Sequence, residues 1–170
     1  AFFERYGSKG FSILERIPEI ISGRAITIAD AKRADIGNSS LKYYESILCG
    51  MGYDSITISP YMGRDSIEPF IPDQTKGVFV LCLTSNKGAN DFQKKETKTG
   101  RLYLDVLELC TRINTNNNIG IVVGATQSST MESIADKSDN LTWLMPGVGA
   151  QGGDLENAIR IGNKNGIGIV

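Results

Sequence analysis

Short apolar runs recur along the chain at similar intervals, and polar or amphipathic stretches separate most of them. The runs are rich in β-branched residues and too short for helices, which is typical of strands buried on both faces. They are AITIA (25–29), SITIS (55–59), GVFVLCL (77–83), IGIVVGA (119–125), LTWLM (141–145) and GIGIV (166–170). The pattern therefore predicts six β-strands.

Apolar residues at helical spacing occupy most of the intervening stretches. They predict helices over Phe11 to Ile21, Leu41 to Leu48, Leu102 to Ile113 and Leu155 to Ile161, with a further helix beginning near Met131. Alternating strands and helices imply parallel βα units. The polar stretch 87–101 is predicted to be the one long irregular loop and a candidate lid.

Unusual polar chemistry follows at least four of the strands, in the segments DAKRAD, TSNKGA, GATQ and PGVGAQGG. A closed barrel brings all of its carboxyl strand ends around one mouth, whereas an open sheet has a single crevice. We therefore expect an α/β fold of the (β/α)8 barrel type. A complete barrel needs about 250 residues and eight strands, so residues 1–170 are expected to be one barrel domain truncated at both ends.

Charge and composition narrow the function classes. The 18 basic and 19 acidic residues give a net charge of −1, which argues against an extended nucleic-acid surface. No apolar stretch approaches the ~20 residues that span a bilayer. Histidine and a Cys-x-x-Cys pair are absent, which excludes His-dependent triads and zinc chemistry. Three unpaired cysteines suggest a reducing compartment, the cytoplasm.

The segment DAKRADIGNS (30–39) is the strongest candidate for catalytic chemistry. Residues two apart in a strand point the same way, so Asp30 and Lys32 should face together, with Asp35 just beyond the strand end. Buried charges need mutual pairing or a function. From spacing alone, a solvated loop with incidental charges is an equal alternative.

Two further strand ends could bind a ligand. PGVGAQGGD (146–154) opens a helix, so glycine N–H groups and the helix N-terminus could receive an anion, with the Gln151 amide as an additional donor. TSNKGA (84–89) offers Ser85 and Asn86 to the edge of a heterocycle. A glycine-rich turn without a ligand is the alternative for the first segment.

Taken together, these segments resemble orotidine 5'-monophosphate decarboxylase, in the branch whose catalytic segment is D-A-K-R-G-D-I-G-x-T. The resemblance runs along nearly all of the chain. It is carried by AFFERYG, IADAKRADIGNSS, ISPYMGRDSIEPF, TSNKGA, IVVGAT and MPGVGAQGGD. Several ordered motifs at family-like spacing are far more specific than any one of them.

The resemblance implies roles for individual residues. Asp30, Lys32 and Asp35 match members of the family's alternating Lys–Asp–Lys–Asp network. In the family the last Asp reaches into the neighbouring subunit's site, together with the residues that match Ile36 and Ser39, which implies a homodimer. Ser85 matches the serine that binds the pyrimidine, Pro146 lies beside the base, and Gln151 matches the glutamine that bridges towards the phosphate.

This sequence departs from the family pattern in two residues and at both ends. Ala34 replaces a usual Gly, and Ser39 replaces a Thr while keeping the hydroxyl. The family's first network Lys and a ribose-binding Asp fall upstream of the chain, and a phosphate-binding Arg falls shortly after Val170. The chain alone is therefore expected to lack parts of its active site.

The implied reaction is loss of CO2 from orotidine monophosphate to give UMP, with no metal or organic cofactor. Lys32 would stabilise and protonate the C6 carbanion. Three alternatives remain open. They are a Mg²⁺-dependent sugar-phosphate enzyme of the same barrel lineage, a non-catalytic phosphate-binding remnant, and the decarboxylase half of a fused UMP synthase.

Overall fold

A computed structural model describes residues 2–138, 140–149, 152–162 and 167–169. The chain forms two compact units, residues 1–78 (the N-terminal unit) and residues 79–170 (the C-terminal unit). No helix among the described residues is long and apolar enough to cross a membrane.

The N-terminal unit contains two parallel strands and their helices. Helix α1 (Ser8–Ile21) precedes strand β1 (Ile28–Arg33), and α2 (Gly37–Tyr44) continues through a π-helical segment (Glu45–Gly50) towards strand β2 (Ser55–Ile58). Three short 3-10 turns are also present, at Glu4–Tyr6, Arg64–Ser66 and Glu68–Phe70. All four residues of β2 are buried, as expected for a parallel strand covered on both faces.

The first strand differs from its prediction. It was expected at 25–29, but β1 begins at Ile28 and continues through the charged residues to Arg33. Its register with β2 is irregular, because β1 advances from Ala29 to Arg33 while β2 advances only from Ile56 to Ile58. A bulge of this kind inserts extra residues into one strand and re-aims their side chains.

The C-terminal unit is built from βα elements of the predicted kind. Its strands lie in the order β3 (Gly77–Leu83, which begins at the unit boundary), β6 (Ile119–Val123), β7 (Thr142–Met145) and β8 (Ile167–Ile169). The β6–β7 and β7–β8 pairs are parallel. The helices are α3 (Leu102–Ile113), α4 (Ser128–Ala135) and α5 (Leu155–Gly162). The predicted strand positions in this unit are confirmed.

The stretch 87–101 is not the irregular loop that its polarity predicted. Lys87–Asn90 forms a 3-10 turn, and β4 (Glu96–Thr97) pairs with β5 (Gly100–Arg101) as a small antiparallel hairpin. The side chain of Gln93 fastens the stretch to the end of β3, since its Oε1 accepts the Thr84 N–H at 2.8 Å.

Each unit has its own apolar core. Fully buried side chains in the N-terminal unit include Leu48, Ile56, Ile58, Ile67 and Phe70, and those in the C-terminal unit include Leu83, Leu107, Ile121, Met131 and Trp143. The indole N–H of Trp143 donates to the buried Ser138 hydroxyl at 3.1 Å, so this polar group is satisfied inside the core.

Candidate active site

The end of β1 brings Asp30 and Lys32 together. Lys32 Nζ lies 2.6 Å from Asp30 Oδ1, and the two side chains are 52% and 63% exposed. They meet as the sequence predicted, although simple strand alternation is not the reason. Lys32 has a positive φ of 48°, so the backbone turns locally between the two residues.

A positive φ is costly for a residue with a side chain. The left-handed conformation costs roughly 1–2 kcal/mol relative to the usual regions, and such strain concentrates at functional sites. An exposed ion pair contributes only about 0–1 kcal/mol, so the bond to Asp30 alone does not hold Lys32 in this conformation. Other contacts must contribute.

Thr57 of β2 supplies two of those contacts. Its hydroxyl accepts the backbone N–H of Lys32 at 3.0 Å and donates to Asp30 Oδ1 at 2.9 Å. The residue is only 1% exposed, and each such bond contributes roughly 1 kcal/mol. Thr57 was not predicted as a site residue, because a Thr in an apolar run looks like an ordinary β-former. A buried hydroxyl's need for a partner was the available signal.

The strand is anchored on the other side of Lys32 as well. The carbonyl of Arg33 accepts the Ser59 N–H at 2.8 Å. The guanidinium of Arg33 forms an ion pair with Glu4, and its Cζ lies 5.4 Å from the centre of the Tyr43 ring. Arg33 therefore fixes the end of β1 to neighbouring parts of the N-terminal unit.

Asp30 is held in its ionised form. Partial burial is the largest single influence on its pKa and acts upwards, but hydrogen bonds from Lys32 and Thr57 and the charge of Lys32 together outweigh it. The pKa of Asp30 therefore lies below its usual value. The result is an ammonium and a carboxylate in contact at one strand end.

Asp35, Ile36 and Ser39 lie where the chain turns from β1 into α2. Asp35 Oδ1 accepts the N–H of Ile36 at 2.8 Å, and its carbonyl accepts the Ser40 hydroxyl at 2.6 Å. Ile36 occupies the N-cap position of α2, without a capping side-chain hydrogen bond, and is 61% exposed. Ser39 is half-buried in the first turn of the helix. Asp35 thus lies beyond the strand, as predicted, and buried Ser40 is a further residue that fixes its position.

In the C-terminal unit, Ser85 and Pro146 flank the end of β6. Gly124 donates its N–H to the Leu83 carbonyl at 2.7 Å, and Ala125 donates to the Pro146 carbonyl at 3.0 Å. A Cβ added at Gly124 would lie 2.6 Å from Ser85 N. Only glycine therefore allows the two backbones to approach this closely.

The glycine-rich segment 146–154 differs from the predicted anion site in one respect. The N-terminus of α5 is already capped by its own chain, since Asp154 Oδ1 accepts the N–H groups of Glu156 at 3.0 Å and Asn157 at 3.3 Å. Gly153 N–H also bonds within the segment, to the Gly147 carbonyl. Two N–H groups of the first turn thus already have a side-chain acceptor, and binding of an anion at this helix N-terminus stays a prediction. Gln151, the predicted phosphate contact, lies outside the described residues.

The polar strand ends that the sequence singled out thus form two groups. Asp30, Lys32 and Asp35 belong to the N-terminal unit, and Ser85 and Pro146 belong to the C-terminal unit. Among the described residues, no group of three or more His, Cys, Asp or Glu side chains could hold a metal ion.

Comparison with known proteins identifies the family. The family model described as orotidine 5'-phosphate decarboxylase / HUMPS family matches residues 1–168 and so covers both units. The chain belongs to this family. A relative from Dehalococcoides mccartyi, named orotidine 5'-phosphate decarboxylase, is 48% identical over an alignment 171 residues long, which covers 98% of this chain and 63% of the relative. The chain thus spans less than two thirds of the length of this family member.

Solved structures of the family agree with this assignment. Leishmania donovani UMP synthase has a TM-score of 0.93 and 38% identity, and the match covers 99% of this chain and 39% of that one. Leishmania donovani OMP decarboxylase has a TM-score of 0.90 and 35% identity, with 99% and 67% covered. The fold class is the (β/α)8 barrel that the sequence predicted, present here in part.

Proposed function

We propose that the protein containing this chain decarboxylates orotidine 5'-monophosphate to UMP in pyrimidine biosynthesis, without a metal or organic cofactor. The observation that carries the proposal is the Lys32 ammonium, fixed 2.6 Å from the Asp30 carboxylate at a strand end. This pair lies in a segment that matches the family's catalytic motif. The names of the relatives support the same substrate.

The Asp30–Lys32 pair suits the chemistry of the decarboxylation. The bond between C6 and the carboxylate carbon breaks, CO2 departs, and the electron pair stays on C6. A fixed ammonium stabilises this charge well because it is in place before the charge develops. Lys32 then gives a proton to C6 and regains one from solvent. Asp30, close to the departing carboxylate, would disfavour the ground state by repulsion.

Substrate binding is assigned to the C-terminal unit. Ser85 would bind the pyrimidine, Pro146 would lie beside the base, and Gln151 would contact the phosphate end. The tight backbone contacts of the 124–125 segment with Leu83 and Pro146 support a rigid placement of the first two. Phosphate contacts remote from C6 would supply binding energy that is used at the reacting centre.

The active site is proposed to be shared across a homodimer. Asp35, Ile36 and Ser39 would complete the partner subunit's site, in a two-fold arrangement with two equivalent sites. Exposed apolar side chains of the same unit support an interface on its surface, since Ile36 is 61%, Tyr61 78% and Met62 48% exposed. Aromatic residues and Met are enriched at protein–protein interfaces.

Two broader properties are proposed with the function. Both units would belong to one barrel domain, which the family match over residues 1–168 supports. The protein would act in the cytoplasm, where thiols stay reduced. The three free cysteines, two of them buried, support this location.

The test is to purify the whole natural protein and to measure conversion of orotidine 5'-monophosphate to UMP, with and without EDTA. Turnover that EDTA does not affect is the expected result. Turnover of a sugar phosphate that EDTA abolishes would instead assign the protein to the Mg²⁺-dependent alternative. Binding of UMP without any turnover would show a non-catalytic protein.

A further inference from the structure

The geometry points to a positioning role for Thr57, a buried residue of β2 whose hydroxyl holds the Asp30–Lys32 pair in its reactive arrangement. This inference rests on the proposed function. It concerns a residue outside the motif segment and on a different strand.

The hydroxyl of Thr57 makes two hydrogen bonds of opposite direction. It accepts the Lys32 backbone N–H at 3.0 Å and donates its own proton to Asp30 Oδ1 at 2.9 Å. A hydroxyl has one proton to donate, so this proton is committed to Asp30. One buried atom thereby links the backbone of the proposed proton donor to the carboxylate that pairs with it.

The bond that Thr57 donates reaches the same carboxylate oxygen as the Lys32 ammonium. Lys32 Nζ approaches Asp30 Oδ1 at 2.6 Å, and Thr57 approaches this oxygen from a buried strand. Asp30 alone is too exposed to have a fixed orientation, because its side chain is 63% accessible. A donor that is itself 1% exposed, and whose rotamer is restricted by β-branching, supplies the fixed reference.

The second bond maintains the unusual backbone of Lys32. The positive φ of 48° directs the lysine side chain back towards Asp30 across a bulge. The N–H of Lys32 is held by Thr57, and the next carbonyl, that of Arg33, is held by Ser59. Loss of the Thr57 hydroxyl would release one of these two anchors and let the bulge relax.

An ordinary structural role makes a different prediction. If Thr57 only filled space in the sheet, the nearly isosteric valine would replace it without loss. If the hydroxyl positions the pair, serine should replace it and valine should not. The two substitutions therefore separate the hydroxyl from the volume of the side chain.

The experiment uses the whole natural protein and three substitutions in β2. For Thr57→Val we expect kcat for orotidine 5'-monophosphate to fall about 10- to 100-fold, the range that misplacement of a catalytic group produces, while KM changes less than about threefold. For Thr57→Ser, which keeps the hydroxyl, kcat should stay within about threefold of wild type. Ser55→Ala is the matched control, since Ser55 is a buried hydroxyl residue of the same strand, and its kcat should change less than about twofold.

A structural readout that needs no turnover accompanies the kinetics. In a crystal structure of Thr57→Val, Lys32 should leave its positive φ, and the distance from Nζ to Asp30 Oδ1 should exceed about 3.5 Å, beyond hydrogen-bond length. If Thr57→Val does not fold, Thr57→Ala takes its place with the same expectations.

Full activity of Thr57→Val with an unchanged Asp30–Lys32 contact would overturn the inference and leave the proposed function intact. A fall in kcat that serine does not rescue would also overturn it. Failure of the wild-type protein to decarboxylate orotidine 5'-monophosphate would overturn the proposed function instead, and the crystal structure would still decide whether Thr57 places the pair.

Discussion

The two groups of candidate site residues are held in different ways. In the N-terminal unit, the Asp30–Lys32–Thr57 cluster is fixed by hydrogen bonds that involve side chains, around a backbone with a positive φ. In the C-terminal unit, Ala125 donates a backbone hydrogen bond to the Pro146 carbonyl, and Ser85 packs directly against Gly124, whose N–H bonds to the Leu83 carbonyl. The geometry of the first group thus depends on the charges of Asp30 and Lys32 and the hydroxyl of Thr57. The placement of Ser85 in the second group depends on the missing side chain of Gly124.

This difference predicts opposite sensitivities to substitution. Near Lys32, a substitution that removes a charge or a hydroxyl should lower kcat with little effect on folding. Near Ser85, the addition of a single methyl group should displace the backbone, although no functional group is lost. The variants below test these expectations, beginning with the largest effect.

Lys32→Ala should lower kcat by at least about three orders of magnitude, because it removes both the electrostatic partner of the C6 carbanion and the proton donor. UMP should still bind, because the base and phosphate contacts are assigned to other residues. Lys42→Ala is the matched control, since Lys42 is an exposed lysine of α2 that pairs with Glu45. Lys32→Ala activity above about a tenth of wild type, a barrier change under ~1.4 kcal/mol, would show that another group supplies the proton.

Mixing two inactive variants should show whether the charged cluster is completed by a second copy of the chain. Whole-length Lys32→Ala and Asp35→Ala proteins are combined under conditions that allow subunits to exchange. About half of the dimers become mixed, and each mixed dimer has one site with both defects and one with neither. Activity should therefore recover to roughly a quarter of wild type. No recovery after proven exchange would place Asp35 in the same site as Lys32 of its own chain.

The sequence predicted the positions of the regular strands better than the geometry of the site. Runs such as IGIVV are buried along their whole length in the structure, and hydrophobicity alone identifies such strands. Strand β1 was placed too early because its second half is charged, and the pattern rule treats charged residues as the end of a strand. The bulge and the positive φ of Lys32 occur together with contacts to Thr57 on another strand, which no local pattern shows.

The polar stretch 87–101 was mistaken for a loop for a similar physical reason. The hairpin at 96–101 lacks the Asn-Gly or Asp-Gly signal that identifies tight turns, so its polar sequence resembled a loop. The sequence also gave no sign of the side-chain cap at the start of α5, where an anion site is predicted. Asp154 follows the glycines directly and caps the helix with its own carboxylate, as Asp does at many helix starts.

Gly124→Ala should damage the C-terminal unit although it adds only a methyl group. The added Cβ would lie 2.6 Å from Ser85 N and 2.7 Å from Ser85 Cα, and backbone atoms cannot move away cheaply. We expect a loss of about 1–3 kcal/mol in the free energy of unfolding and weaker binding of UMP. Gly37→Ala is the control, because a Cβ there meets nothing within 4 Å and its φ is not positive. Equal unfolding midpoints in urea for both variants would contradict the close-approach explanation.

Asp154→Ala and Gln151→Ala should separate helix capping from phosphate binding, with the smallest effects of the series. Loss of the Asp154 cap leaves the N–H groups of Glu156 and Asn157 without their side-chain acceptor and should cost about 1 kcal/mol of stability. Binding of UMP relative to uridine should stay unchanged. Gln151→Ala should show the reverse pattern, with UMP binding weakened about tenfold, or ~1.4 kcal/mol, uridine binding unaffected and stability retained.

Calorimetric titration of both ligands, with urea unfolding of each variant, gives the comparison. If Asp154→Ala alone weakened UMP selectively, the start of α5 would be part of the phosphate site after all. If Gln151→Ala weakened UMP and uridine equally, Gln151 would contact the nucleoside and not the phosphate end.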